Sequence, residues 1–248
     1  MAGTALRRRL NWLSAPVLEV QPETTRASRI VLDPPTWSGH RPGQHLDVRL
    51  TAPDGYTAQR SYSIASAPEA PRVELIVDTL PDGEVSPYLT QELQPGDDLE
   101  IRGPFGGWFV WYAGLGGPLQ LIAGGSGVVP FLSMIDHHRA AGSDVPVRLL
   151  YSARSLAEVF RRERLAEPDR NVRVDLALTR EAPPGWTGET GRVDRAVLSR
   201  HAFPAEARPQ VFVCGSTGFV DAVAGAMIEL GHLSEKIKTE RFGATGGT

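Results

Sequence analysis

Leu119-Gln120-Leu121-Ile122-Ala123-Gly124-Gly125-Ser126-Gly127-Val128-Val129-Pro130 is the stretch on which the architecture turns. Its first five residues read as a short strand. The glycines allow a sharp turn, and Val128, Phe131, Leu132 and Ile135 then repeat at i, i+3, i+4 and i+7, the apolar stripe of a helix. Pro130 falls near the helix start, where a missing N–H costs little. Strand-like runs at 147–152, 172–178 and 210–214 alternate with further helical segments. That alternation predicts right-handed crossovers and a parallel sheet covered on both faces.

Upstream of residue 115 the rhythm differs. Within 72–79, Val73, Leu75, Val77 and Thr79 share one face, opposite Arg72, Glu74 and Asp78. Leu46, Val48 and Leu50 alternate likewise with His45, Asp47 and Arg49. Period two predicts strands with one wet face, and Pro/Asp/Gly clusters near 34, 53, 81 and 95 separate them. Short antiparallel strands in series suggest a small barrel or sandwich. Gly114-Leu115-Gly116-Gly117-Pro118 is the natural junction, giving domains of 1–115 and 116–248.

The 248 residues are 41% apolar and 22% charged with a net charge of -3, a soluble globular balance that gives no reason to expect nucleic acid as partner. No window reaches the roughly 18 to 20 apolar residues of a membrane span. The Arg7-Arg8-Arg9 segment is followed by too polar a stretch for a signal peptide, so it reads as a mobile arm and the protein as cytoplasmic. Cys214 is the only cysteine, which excludes an internal disulfide and a thiolate-held iron–sulfur cluster within these residues.

Ligands of open parallel sheets bind at the carboxyl ends of the strands, near the switch in strand order. Two strand-to-helix turns have suitable chemistry. At 124–130, Gly125, Ser126 and Gly127 let a phosphate approach backbone and helix N–H groups; the plain alternative is a tight turn. At 211–218, Cys214 and Gly215 end a strand, with Cys214 either a small buried hydrophobe or a reactive group at a cleft mouth.

The first half offers its own pair of segments. In Arg60-Ser61-Tyr62-Ser63, Arg60 and Tyr62 project from one strand face, a guanidinium fork suited to pyrophosphate beside a ring suited to a flat heterocycle. Ser63 points the other way, and an incidental Arg–Tyr stack is the alternative. In Gly83-Glu84-Val85-Ser86-Pro87, Ser86 reads as an N-cap and Pro87 as the first helical residue, an anion-accepting start that Asp82 and Glu84 weaken.

Taken in order, six segments resemble the ferredoxin–NADP reductase superfamily over nearly the whole chain. They are Arg60-Ser61-Tyr62-Ser63, Gly83-Glu84-Val85-Ser86, Gly103-Pro104-Phe105-Gly106, the turn at 124–130, Cys214-Gly215 and Glu240-Arg241-Phe242-Gly243. The resemblance implies an N-terminal antiparallel Greek-key β-barrel binding FAD and a C-terminal α/β domain presenting NAD(P)H. It implies that Tyr62 packs on the isoalloxazine, Arg60 binds the pyrophosphate, Ser63 lies near the flavin N5 and Gly83, Val85 and Ser86 lie near the phosphates. Gly125, Ser126, Gly127 and Gly215 line the nicotinamide nucleotide site, Cys214 sits close to the reacting ring, and Phe242 approaches the other flavin face. Ser126 and Ser216 replace the threonine and proline often found in the family, both keeping the backbone character.

The implied reaction moves a hydride from NAD(P)H to bound FAD and then electrons to a separate acceptor, a ferredoxin-like or other redox protein. Ser63, Cys214 and Glu240 are the candidate catalytic residues, Glu240 for proton handling unless it is a solvated surface charge. Arg154, Arg161 and Arg180 are candidates for a 2′-phosphate, leaning the donor towards NADPH; alternatively Arg161 and Arg162 form a solvated helix face. Trp108 to Tyr112 read mostly as inter-domain core. His137 and His138 read as exposed, and Glu229 and His232 lack metal-ligand spacing, so no metal is expected. A free-flavin reductase and a non-catalytic docking subunit of a redox complex are the other function classes.

Overall fold

The period-two runs of the first half form strands because alternate residues have a core to face. The computed structural model describes residues 11–243, so the Arg7-Arg8-Arg9 arm lies outside the described residues. Strands β1 (Leu13–Thr24), β2 (Ala27–Leu32), β3 (His45–Thr51), β4 (Thr57–Ser63) and β5 (Val73–Asp78) are followed by a short helix α1 (Ser86–Gln91) and strand β6 (Asp98–Phe105). They pair antiparallel in the order β4-β3-β6-β1-β2-β5. A bridge between Ile64 and Leu75, with the Ala65 N–H donating to the Glu74 carbonyl at 2.8 Å, brings the end of β4 onto β5 and closes the ring. The run β6-β3-β4-β5 has the 4-1-2-3 order of a Greek key. Ile30, Leu32, Leu46, Val48, Leu75, Leu99 and Ile101 fill the barrel, and Val85 and Leu89 of the α1 segment pack into the same core.

In the second half, β7 (Leu119–Gly124), α2 (Val129–Ala140), β8 (Val147–Ala153), α3 (Arg162–Leu165), β9 (Val172–Leu178), β10 (Glu189–Thr190), α4 (Arg195–His201), β11 (Gln210–Ser216), α5 (Thr217–Glu229) and β12 (Ile237–Phe242) follow. The sheet order β10-β9-β8-β7-β11-β12 is parallel throughout. Strand order reverses between β7 and β11, so both glycine turns picked out above stand at the switch point. No helix among the described residues is long and apolar enough to cross a membrane.

The two halves share one core. Ala27, Ala65, Ile76, Phe109 and Trp111 join Phe131, Met134, Ile135, Tyr151 and Phe212 in a single buried cluster. Phe109 stacks on Phe131 at 5.8 Å and meets Phe212 edge-on at 5.2 Å. Burying aromatic side chains of this size contributes roughly 1.5–3 kcal/mol each. Polar ties border the seam: Ser133 Oγ donates to the Ser66 carbonyl at 2.7 Å, and Glu69 Oε1 lies 2.7 Å from His137 Nδ1.

That seam corrects several expectations. Strand β5 is not wet on its second face, since Ile76 there is buried against the other half. Asp47 on β3 is also buried, accepting from Ser61 Oγ at 2.7 Å and from Arg102 at 3.0 Å. His137 and His138 are not exposed. The His137 ring accepts from the Ala113 N–H at 3.3 Å, and His138, buried, lies 6.1 Å from Trp111 in a stacked arrangement. Of the aromatic run, Phe109 and Trp111 are buried, as read, whereas Trp108 and Tyr112 face solvent.

Candidate nucleotide site between barrel and sheet

Gly127 is locked in place by the neighbouring strand. A Cβ there would lie 2.3 Å from the carbonyl oxygen of Cys214 and 2.8 Å from the Gly215 nitrogen, so the turn rests directly on the end of β11. Gly125 is the opposite case: its φ of +57° is left-handed and nothing lies within 4 Å of where a Cβ would be. The turn is therefore closed on its inner side and open at Gly125 and, partly, Ser126. Helix α2 starts immediately after it, with Pro130 in its first turn. A glycine edge with free N–H groups leading into a twelve-residue helix suits an anionic ligand.

Cys214 is buried, and the reading of it as an exposed reactive thiol is corrected. Burial pushes the thiol up, with the Glu240 carboxylate adding to the shift, so the reactive thiolate is disfavoured. In the parallel register Cys214 stands beside Glu240, and Ser216 beside Phe242. Glu240 is not a solvated surface charge. Burial raises its carboxyl to about 7, and its Oε2 is buried without a hydrogen-bond partner. Its Oε1 is 3.6 Å from Nδ1 of His45. Burial holds the His45 imidazole below its usual value, with Asp47 pulling the other way. His45 in turn pairs with Ser63 across β3 and β4. A continuous path thus runs from Ser63 through His45, Glu240 and Cys214 to Gly127, joining the two halves.

On the barrel, Tyr62 is half-buried against the core, and burial lifts its phenol to about 12, so the ring stays neutral. Arg60 is exposed and pairs with Glu84 at 3.0 Å. Ser61 points to the opposite side, where its hydroxyl serves Asp47, so its side chain does not share the Arg60–Tyr62 face. Val85 is fully buried in the barrel core, leaving only its backbone for a ligand. The cap reading of Ser86 is also corrected: Val85 holds the N-cap position of α1, and Ser86 Oγ accepts from the Leu80 N–H at 3.0 Å. That bond braces the Gly83 turn, where a Cβ would lie 3.1 Å from both the Leu80 carbonyl and Ser86 Oγ.

Arg154 directly follows β8, and Arg180 comes two residues after the end of β9. The Arg180 N–H donates to the Arg154 carbonyl at 2.9 Å, so two exposed guanidinium side chains leave adjacent strand ends. Arg161 is not part of a solvated helix face. It precedes α3 in a left-handed conformation (φ 50°), its side chain lies 3.5 Å from Glu74, and its N–H donates to Glu23. Barrel carboxylates thus occupy Arg161, separating it from the other two. Phe242, at the end of β12, is exposed.

His45 is the site residue that the sequence reading missed. The available signal was its place on β3, whose alternation puts it opposite Ser63. The assembled residues fit a flavin together with a second nucleotide: a guanidinium beside a half-buried ring, an unpartnered buried carboxylate oxygen, and an open glycine turn facing from the sheet.

Such a barrel and switch-point sheet define a two-domain nucleotide oxidoreductase. The oxidoreductase FAD-binding domain family matches residues 20–110, and the oxidoreductase NAD-binding domain family matches residues 121–225. A ferredoxin–NADP reductase B from Sorangium cellulosum is 34% identical over 209 residues, covering 81% of this chain and 84% of that protein. The chain belongs to the ferredoxin–NADP reductase superfamily. The reductase component of a propane 2-monooxygenase from Mycolicibacterium goodii is 30% identical over 84% of this chain and 61% of that protein. The chain spans about 60% of the length of this and the other monooxygenase reductase relatives with which it shares 30% identity. Among solved structures, a cytochrome P450 reductase from Amycolatopsis superposes with a TM-score of 0.81 at 26% identity, covering 94% of this chain and 70% of that one. A ferredoxin NADP+ reductase from Neisseria gonorrhoeae, with bound FAD and NADP, shares the fold at a TM-score of 0.81 and 22% identity, over 93% of this chain and 98% of that one.

Proposed function

We propose that this chain moves a hydride from NAD(P)H to FAD held on the barrel and delivers the electrons to a separate redox protein, as a reductase component. The observation that supports the reading is the run of neighbours from Ser63 through His45 and Glu240 to Cys214 and Gly127, which links the barrel residues to the glycine turn of the sheet. When bound, the flavin supplies the capacity to accept a hydride and release electrons singly or in pairs. The domains are 1–115 for the flavin and 116–248 for the nicotinamide nucleotide.

The chain's own residues then bind, orient and handle a proton. Arg60 and the Gly83–Ser86 turn receive the flavin phosphates, and Tyr62 offers its ring face. Gly125, Ser126, Gly127 and Gly215 give the nicotinamide nucleotide a close backbone approach. Cys214 acts by packing, its backbone carbonyl seating the turn at Gly127 while its thiol is buried. Glu240, with a carboxyl near 7, can hold or release a proton beside His45 at working pH. Phe242 covers the site from β12. Arg154 and Arg180 form a two-guanidinium edge suited to a 2′-phosphate, which leans the donor towards NADPH. A cytoplasmic setting suits a donor drawn from the nicotinamide pool.

An absorbance spectrum of the purified protein, repeated anaerobically with NADH and then NADPH, tests the reading. The expected result is a yellow protein that bleaches faster with NADPH. A colourless protein that reduces added flavin would make it a free-flavin reductase. No flavin retained or reduced under any condition would favour a docking subunit and overturn the proposal.

A further inference from the structure

Tyr56 is a large ring left in the open yet held still. It is 57% exposed and belongs to none of the buried clusters of the described residues. Even so, its hydroxyl donates to Glu84 Oε1 at 2.5 Å, its N–H donates to Asp54 Oδ1 at 3.0 Å, and its carbonyl accepts from the Ala52 N–H at 2.8 Å. Glu84 also holds the Arg60 guanidinium at 3.0 Å, so one carboxylate ties the ring to Arg60. The bond to Glu84 raises the phenol above its usual value and keeps it protonated. A second exposed apolar residue borders the same turn: Leu80, 54% exposed, donates its N–H to Ser86 Oγ at 3.0 Å and accepts from the Gly83 N–H at 2.9 Å. Exposed ion pairs contribute little to folding, so the bracing bears on what rests against the ring.

We propose that Tyr56 is the platform on which the adenine of FAD rests, and that it makes the barrel site prefer FAD to FMN. The inference rests on the flavin reading above. That reading puts the isoalloxazine at Tyr62 and the phosphates at Arg60, so the ligand runs back along β4 towards the start of the strand. Arg60 stands two residues from Tyr62, and Tyr56 four residues further on, just before β4 begins. At about 3.4 Å per residue, those steps are roughly 7 and 13 Å, so whatever follows the phosphates meets Tyr56 next. Only FAD continues there, with a ribose and a flat adenine. Charge does not separate the two flavins, since the FMN monoester carries about -1.5 to -2 near pH 7 and the FAD pyrophosphate has two ionised phosphates. A fixed aromatic face does separate them, because it gains a stacking partner from one flavin and nothing from the other.

The test uses the full chain stripped of flavin, with dissociation constants for FAD and FMN measured by flavin fluorescence. The wild type should bind FAD more tightly than FMN. Tyr56→Ala should weaken FAD about five- to 150-fold, the loss of one base stacked on a ring, while FMN changes by less than about twofold. Tyr56→Phe keeps the ring and drops the bond to Glu84, so it should retain most of the preference for FAD. A role confined to bracing the turn would make the alanine and phenylalanine variants alike and weaken both flavins together, which overturns the platform. An unchanged FAD constant in Tyr56→Ala, or a wild type that binds FMN at least as tightly as FAD, also overturns it and leaves the flavin reading standing. A wild-type protein that binds neither flavin overturns the flavin reading, and this inference with it.

Discussion

Substituting Gly127 by alanine probes the contact on which the nucleotide turn depends. The added methyl would lie 2.3 Å from the Cys214 carbonyl oxygen and 2.5 Å from its carbon, about 1 Å inside ordinary contact at 3.4 Å. Both neighbours are backbone of β11, which is hydrogen-bonded to β7 on one side and β12 on the other. Neither can rotate away, so the turn must lift off the strand or the strand must shift in its ladder. Overpacking of this kind costs about 1–3 kcal/mol, and a disturbed ladder bond adds about 1 kcal/mol. For a chain of this size the total corresponds to a fall in melting temperature of roughly 5–12 °C. Gly125→Ala is the matched control: its φ of +57° imposes backbone strain of about 1–2 kcal/mol, but the space around it is open. Thermal melts of both variants, with Michaelis constants for NADH and NADPH, should show a larger melting loss and a larger rise in both constants for Gly127→Ala. Equal melting temperatures for the two variants would refute the packing argument.

Two other outcomes follow from the site. Burial raises the Glu240 carboxyl from an ordinary 4.5 to about 7, so the folded state holds this proton more tightly than the unfolded chain. Its stabilising share is complete below pH 4.5 and is lost as pH rises through 7, by up to about 3 kcal/mol; denaturant midpoints at pH 5.5, 7 and 8.5 should therefore fall less steeply in Glu240→Gln than in the wild type, and parallel slopes would count against the buried carboxyl. The double variant Arg154→Ala, Arg180→Ala should raise the Michaelis constant for NADPH about tenfold, the loss of one to two charge-assisted contacts, while barely changing that for NADH, and an equal effect on both would discard the 2′-phosphate edge.

The fold was legible wherever one face of an element meets a core and the other meets water. Leu46 and Val48 on β3, or the strand at 172–178, announce themselves by alternation or by apolar density. The reading failed where a second layer covers the outer face. Ile76 breaks the alternation of β5 because the parallel-sheet half packs on it, and His138 counts as polar in a helical stripe although it lies against Trp111. Of the site, the residues set by backbone need were the most visible: Gly125 and Gly127 are required by conformation and close approach, and such needs are local. Side chains paired across distant segments were not. Glu84 with Arg60, Asp47 with Arg102, and His45 with Glu240 are separated by 24, 55 and 195 positions, and no local pattern encodes them. Ser86 was misjudged for a related reason, since its hydroxyl turns back to Leu80 instead of capping the helix.

The shared aromatic seam has a bearing on timing. Lobes joined by a small, wet contact swing freely by default, and a productive approach of two ligands then waits on closure. Here Phe109 is wedged between Phe131 and Phe212, and Trp111 is sealed in the same layer, so opening the lobes like a door would strip several rings from their packing at once. The setting of one half against the other is accordingly fixed when the chain folds, and the exposed Phe242 ring on the last strand lies outside that shared layer.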